Sequence, residues 1–214
     1  YWRGEAYYRL NKLTEANSDF MQYLRLNRQA NTEMYAVAQY NLGYIAFHKN
    51  DYSTAQNYLL PFLRSYKGDN QTILADANNR IGDSYLQTRN YNEAKQYYSQ
   101  AEALDTPTGD YSFYQLALVA GLQRDYAGKI TLLNRLAAKY PTSPYAVNAM
   151  YEKGRSYVLM NNNAQAINSF RDLLNRYPES PVSRKAAAEI GLLHYQNEQY
   201  NEAIDAYKFV IQKY

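Results

Sequence analysis

One offset pattern recurs six times along the chain and dictates its architecture. A small residue stands at Gly4, Gly43, Gly82, Ala117, Gly154 and Gly191, at steps of 39, 39, 35, 37 and 37 residues. Twelve positions after each come Ala16, Ala55, Ala94, Lys129, Ala166 and Ala203. Sixteen after come Phe20, Leu59, Tyr98, Leu133, Phe170 and Tyr207. A period of this length marks a stack of supersecondary units, each too small to bury its own apolar face. The segments Tyr140-Pro141-Thr142-Ser143-Pro144 and Tyr177-Pro178-Glu179-Ser180-Pro181, 37 residues apart, set the same register.

Within each unit the apolar residues follow helical spacing. Leu42, Ile45 and Phe47 ride one segment, and Ala55, Leu59, Phe62 and Leu63 the next. A short polar turn such as Asn50-Asp51-Tyr52 joins them, so each unit reads as a helical hairpin. A glycine on the first helix facing an alanine on the second would bring the backbones close. The fold expected is all-α, an alpha-alpha superhelix of about six antiparallel helix pairs, right-handed. Its repeat units are approximately 1–27, 33–66, 71–104, 110–140, 143–177 and 180–214. Ser53, Ser143 and Ser180 suit N-caps, with Pro144 and Pro181 at first helical positions. Gly68 suits a left-handed C-terminal cap. Pro61 falls inside a second helix and should kink or break it near Asn57. Lys129 should snorkel outward from its alanine slot, making the fourth unit the least regular.

Composition removes several function classes. The 214 residues include no cysteine, so disulfides and thiolate chemistry are excluded. The net charge of +3 comes without basic clusters longer than a pair, too little for nucleic-acid binding. No stretch has the run of ~20 apolar residues a membrane span needs. His194 sits at a packing position. His48 and Asp51 lie across a turn from one another, with no nucleophile placed beside them. No spacing suits metal ligands, and no phosphate-cradling glycine loop appears. The expected protein is not an enzyme and takes no cofactor and no metal. The chain opens at Tyr1 without Met and is expected to be a piece of a longer protein.

The 26 tyrosines are the unusual component. Some occupy buried repeat positions and others precede second helices, but a remainder falls on first helices. Tyr offers large contact area, little rotamer entropy and one hydroxyl, which suits it to interfaces.

These units resemble tetratricopeptide repeats, which place small residues at the eighth and twentieth positions and a large apolar residue at the twenty-fourth. The eleventh position, usually aromatic, holds Tyr7, Ala46, Tyr85, Ala120, Tyr157 and His194. The segment Tyr1-Trp2-Arg3-Gly4-Glu5-Ala6-Tyr7-Tyr8 is similar to repeat openings in TolA-binding, cell-division-coordinator proteins. The Tyr-Pro-x-Ser linkers are similar to that group and to outer-membrane assembly lipoproteins. The resemblance implies a protein-binding scaffold that is periplasmic or associated with the outer membrane. It also implies a concave surface built by first helices. The positions that line such a surface fall on Tyr40, Tyr44, Asn79 and Asp83, and on Tyr114, Tyr151 and Arg155. Phe47, His48 and Tyr111 add to the same face.

Arg155 is the one cation among the twelve fifth- and ninth-position residues, so a clamp for partner carboxylates is not expected. The partner implied is a protein or peptide. The Tyr and Asn content is also similar to the helical-repeat half of glycan-binding outer-membrane lipoproteins, so a carbohydrate-binding module with Tyr platforms is the alternative. A last helix ending on Tyr207, Phe209, Val210, Ile211 and Tyr214 lacks the polar face of a capping helix, so self-association through residues 200–214 is expected.

Overall fold

The computed structural model describes residues 1–28 and 32–213. Among them it contains twelve helices and no strand. These are α1 (Trp2–Arg9), α2 (Leu13–Leu26), α3 (Glu33–His48), α4 (Tyr52–Ser65), α5 (Gln71–Gln87), α6 (Tyr91–Ala103), α7 (Gly109–Leu122), α8 (Tyr126–Lys139), α9 (Ala146–Leu159), α10 (Asn163–Arg176), α11 (Pro181–Gln196) and α12 (Tyr200–Lys213). None of these is long and apolar enough to cross a membrane. The chain divides into two compact units, Tyr1–Ser112 and Phe113–Tyr214. In the first, α1/α2, α3/α4 and α5/α6 pair as hairpins, α2 packs on α3 and α4 packs on α5. In the second, α9/α10 and α11/α12 pair likewise, and α8 packs on α9.

The cores repeat because the sterics repeat. In the N-terminal unit Phe20 packs with Leu42 and Ile45, and Leu59 and Phe62 pack with Ile81. In the C-terminal unit Phe170 and Leu173 pack with Ile190 and Leu193. In the five pairs whose small residue is glycine, that glycine makes room for the large residue sixteen positions on, more than for the alanine at twelve. A Cβ on Gly82 would stand 2.7 Å from the Tyr98 ring, and one on Gly154 would stand 2.3 Å from Phe170. Gly43 meets both partners, Leu59 at 2.5 Å and the Ala55 carbonyl at 3.2 Å.

The hairpin turns share one backbone solution. Asn11, Asn50, Arg89, Arg124, Asn161 and Glu198, each seven residues after the small residue, have φ between 56° and 63°. The residue after each donates its N–H back to the first helix, as Asp51 does to the Ala46 carbonyl at 3.0 Å and Asn162 to Tyr157 at 2.9 Å. That is the Schellman closure of a helix C-terminus. The left-handed role expected of Gly68 therefore falls on non-glycine residues inside the hairpins, and among the described residues no glycine has a positive φ. Position 68 is instead crowded by the ring of Tyr66, whose hydroxyl oxygen lies 2.4 Å from where a Cβ would stand.

Three other expectations change. α4 begins at Tyr52 and is capped by Asp51, which accepts from the Thr54 N–H at 3.1 Å, so Ser53 lies inside the helix. α9 begins at Ala146 instead of Pro144, because Ser143 accepts from the Tyr145 N–H and closes a turn ahead of the helix. Ser180 caps α11 as expected. α4 also runs unbroken through Pro61. The carbonyl that loses its partner belongs to Asn57, which is exposed and open to water.

Lys129 does not snorkel. It is buried, its stem fills the space beside Gly121, and its ammonium pairs with Glu152. Gly121 supplies the room that the alanine slot lacks: a Cβ there would lie 2.9 Å from the lysine Cδ.

Candidate functional site

In the N-terminal unit the first helices bring seven of the ten expected residues onto α3, α5 and the start of α7. Tyr44 is the hub of an aromatic row on α1 and α3. Its ring lies 5.8 Å from Tyr40, 5.0 Å from His48 and 6.5 Å from Tyr8. Residues 40, 44 and 48 share a face because they are four apart on one helix. His48 is exposed, and Tyr40, Tyr44 and Phe47 are half-buried. The carboxylate of Asp51, across the turn from His48, caps α4.

Beside this row lies an ionic core that the sequence reading did not assemble. Arg80 on α5 donates to Asp83 at 2.6 Å, and its Nε lies 3.4 Å from Asp76 without hydrogen-bond geometry. The guanidinium lies over two rings, 5.4 Å from Phe47 and 5.0 Å from Tyr111. Asp83 also accepts from the Tyr98 hydroxyl at 2.7 Å and the Tyr111 hydroxyl at 2.6 Å. Asp76 accepts from the Tyr40 hydroxyl at 2.7 Å. Asp83 is 7% exposed and Asn79, which accepts from Ser112 at 2.9 Å, is 5% exposed. Both were expected on the open face and instead lie beneath it. A short acidic or amide side chain at these positions reaches neighbouring helices before it reaches solvent.

The electrostatics follow from that burial. Burial pushes the Asp83 carboxyl above the ordinary carboxylate range, against the pull of Arg80, Tyr111 and Tyr98. Burial opposes the Arg80 charge, but Asp83, Tyr111 and Asp76 together hold it protonated. Burial pushes the Tyr8 hydroxyl up to about 12 and the Tyr40 hydroxyl higher, the latter reinforced by Asp76.

In the C-terminal unit the remaining three expected residues are also tied down. Tyr114 stacks on Tyr145 at 5.0 Å and 15° between planes, and burial pushes its hydroxyl up to about 12. Arg155 donates to Glu189 at 2.9 Å, and the Tyr151 hydroxyl donates to the same carboxylate at 3.3 Å. Glu189 was not foreseen. His194 is a packing residue, as expected, with Nδ1 2.8 Å from Gln199 Oε1. Among the described residues no group of three or more His, Asp or Glu side chains could hold a metal ion.

Asp76 and Arg80 carried a signal of their own: Asp76–Arg80 at i,i+4 and Arg80–Asp83 at i,i+3 are paired charges on one helix face.

Three tetratricopeptide-repeat models match the chain, over residues 1–60 and 151–213, over 75–107 and over 111–143. No curated protein sequence matches it. Among solved structures, the C-terminal part of a TPR repeat-containing protein from Cytophaga hutchinsonii is 16% identical, with a TM-score of 0.79 over 99% of this chain and 78% of that one. A MamA protein is 20% identical, with a TM-score of 0.69 over 83% of this chain and 91% of that one. MamA from Desulfovibrio magneticus is 17% identical, with a TM-score of 0.67 over 83% of this chain and 94% of that one. At these identities the structures bear on the fold alone, whereas the family models span most of the sequence. With its six hairpins of one offset pattern, the chain belongs to the tetratricopeptide-repeat family.

Proposed function

We propose that this protein is a non-catalytic scaffold that captures a protein or peptide partner on the first-helix face of its N-terminal unit. The observation that carries this reading is the ring surface of Tyr8, Tyr40, Tyr44, Phe47 and Tyr111, set on a self-compensated ionic core. Asp83 pairs with Arg80 and accepts from the phenols of Tyr98 and Tyr111, and Asp76 accepts from the phenol of Tyr40. The surface therefore offers pre-oriented rings at small entropic cost, the chemistry of an interface anchor. Its buried ionisable groups already hold partners, which leaves none poised to exchange a proton with a ligand.

The same facts favour a polypeptide over a glycan. A sugar site needs free hydroxyl and amide groups beside its aromatic platform. Here the Tyr40 and Tyr111 hydroxyls donate inward and Asn79 is covered. The likeness of the Tyr-Trp-Arg-Gly opening and the Tyr-Pro-x-Ser linkers to TolA-binding and outer-membrane assembly proteins is what supports a bacterial cell-envelope location, which cell fractionation tests directly.

A photo-crosslinking residue at exposed His48 tests the binding face. A single partner should be captured by the parent protein. Tyr40→Ala with Tyr44→Ala should abolish capture while helicity is retained. Undiminished capture by the double variant would move the site elsewhere.

A second contact belongs to the same reading, self-association through α12. Ile204 and Ile211 are 50% and 80% exposed, while their α10 counterparts are better covered, Ile167 at 7% exposed and Leu174 half-buried. Tyr214, included in the expected contact, lies outside the described residues. Phe209→Lys with Ile211→Lys should convert any dimer seen by light scattering to monomer. A parent protein that is monomeric at high micromolar concentration would remove this contact.

A further inference from the structure

A second cleft lies between hairpins, away from the aromatic row. It is bounded by α2, α4 and the first turn of α3, and its volume is about 740 Å³. Met21 and Leu24 give it apolar walls, Tyr35 and Tyr58 give it rings, and Arg25 and Arg28 stand at its rim. That volume is in the range of ligand-binding clefts, ~300–1,000 Å³.

The equivalent cleft in the C-terminal unit serves as an internal control. It lies between α8, α9 and α10 and has a volume of about 210 Å³. By repeat register, Ala146 and Ser169 take the places of Tyr35 and Tyr58 there, and Ala137 takes the place of Leu24. Arg25 and Arg28 correspond to Ala138 and Pro141. The hairpin geometry alone therefore requires neither the two arginines nor the two rings.

The arginines are also free. Both are exposed, and among the described residues neither has an acidic partner. Asp19, on the same helix, is held by Arg3 through two contacts of 2.7 Å. Two like charges three residues apart at a helix end repel one another unless an anion spans them. Guanidinium groups take carboxylates bidentately, and two of them fit a short acidic run. Two cations are too few for a nucleic-acid backbone, whose binding depends on neutralising many phosphates.

We propose that the α2–α4 cleft is a second binding site, for an extended acidic segment of a partner protein whose carboxylates meet Arg25 and Arg28 and whose intervening apolar side chains enter between Tyr35 and Tyr58. The site differs from the first-helix face in both location and chemistry.

Fluorescence polarisation with a labelled ten-residue peptide of alternating Glu and Leu tests it, with the Gln/Leu analogue as control. The Glu/Leu peptide should bind at least tenfold tighter than the analogue and weaken as salt rises. Arg25→Ala with Arg28→Ala should lose that tenfold difference, and Arg25→Lys with Arg28→Lys should keep part of it. Tyr40→Ala with Tyr44→Ala, which removes the anchors of the first-helix face, should leave the affinity ratio of these two peptides as it is in the parent protein. Equal binding of the two peptides, no binding, or an unchanged affinity in the double alanine variant overturns the site. Loss on Tyr40→Ala with Tyr44→Ala but not on the arginine variants also overturns it, while leaving the first-helix reading intact.

Discussion

The ring of Tyr98 fills the space that a side chain at position 82 would need, and its hydroxyl donates to Asp83, the next residue, at 2.7 Å. One α6 residue thus reads two consecutive α5 positions, one by shape and one by charge. The closeness of the helices and the fixing of the ionic core are a single packing event.

Glycine-to-alanine substitutions should rank by the contact each new methyl meets. Gly154→Ala, at 2.3 Å from Phe170, should cost more than Gly4→Ala, at 3.1 Å from Phe20. Overpacking of this kind costs ~1–3 kcal/mol. Melting temperatures of the two variants check the order, and equal melting points contradict the pairing.

Removing the Asp83 carboxylate should be expensive. Asp83→Ala leaves the phenols of Tyr98 and Tyr111 without their acceptor and Arg80 with Asp76 alone, a loss of about 3–5 kcal/mol by the standard of broken buried ion pairs. Asp83→Asn keeps an oxygen for the phenols and should cost less. Denaturant titration separates the two.

Alkaline pH should weaken the fold before any backbone chemistry begins. The hydroxyls of Tyr1, Tyr8 and Tyr114 are pushed up to about 12, chiefly by burial, and Tyr40 and Tyr98 are pushed higher. An unfolded tyrosine ionises near ~10. Above that pH the unfolded chain sheds protons that the native chain retains, so stability falls as pH rises. The slope is at most ~1.4 kcal/mol per pH unit for each retained proton, and less for the half-exposed Tyr1 and Tyr8. Ultraviolet titration should show a late-ionising class of tyrosines that merges with the rest in denaturant.

Lys129 and Glu152 should respond asymmetrically. Lys129→Met keeps the stem beside Gly121 and removes a buried charge, so its effect should stay within ~1 kcal/mol of neutral. Glu152→Ala strands the ammonium and should cost about 2 kcal/mol, tempered by the carboxylate's partial exposure. A reversed order in thermal melts would show that the pair does not govern this site.

The turn residues offer a stabilising test. Arg89 and Arg124 hold φ of 62° and 63°, a region costly for residues with a Cβ. Arg124→Gly should raise stability by ~0.5–1 kcal/mol after the glycine's own unfolded-state entropy is subtracted. Asn50→Gly should give less, because Asn already tolerates this conformation.

The hairpins were legible because sterics leave a periodic mark: a glycine must recur wherever Tyr98 or Phe170 needs its space. The row of Tyr40 and Tyr44 was legible because four-residue spacing is one helical turn. Asp76 and Arg80 escaped because their role depends on rings from α3 and α7, which no local pattern connects. Lys129 was misread because the room it uses is made by Gly121 on another helix. Gly68 was misread because helix ends were assigned to glycine, while asparagine, arginine and glutamate hold the left-handed positions.

The six shared turns set the grain at which this chain can change length. Each hairpin carries its own stop and its own restart, so excising or duplicating a whole block of 35–39 residues rejoins two identical geometries. Losing one residue inside a helix instead rotates everything beyond it by about 100° and parts each small residue from its partner sixteen positions on. Tolerance to insertion and deletion is therefore quantised in this protein, generous at one repeat length and close to nil at a single residue.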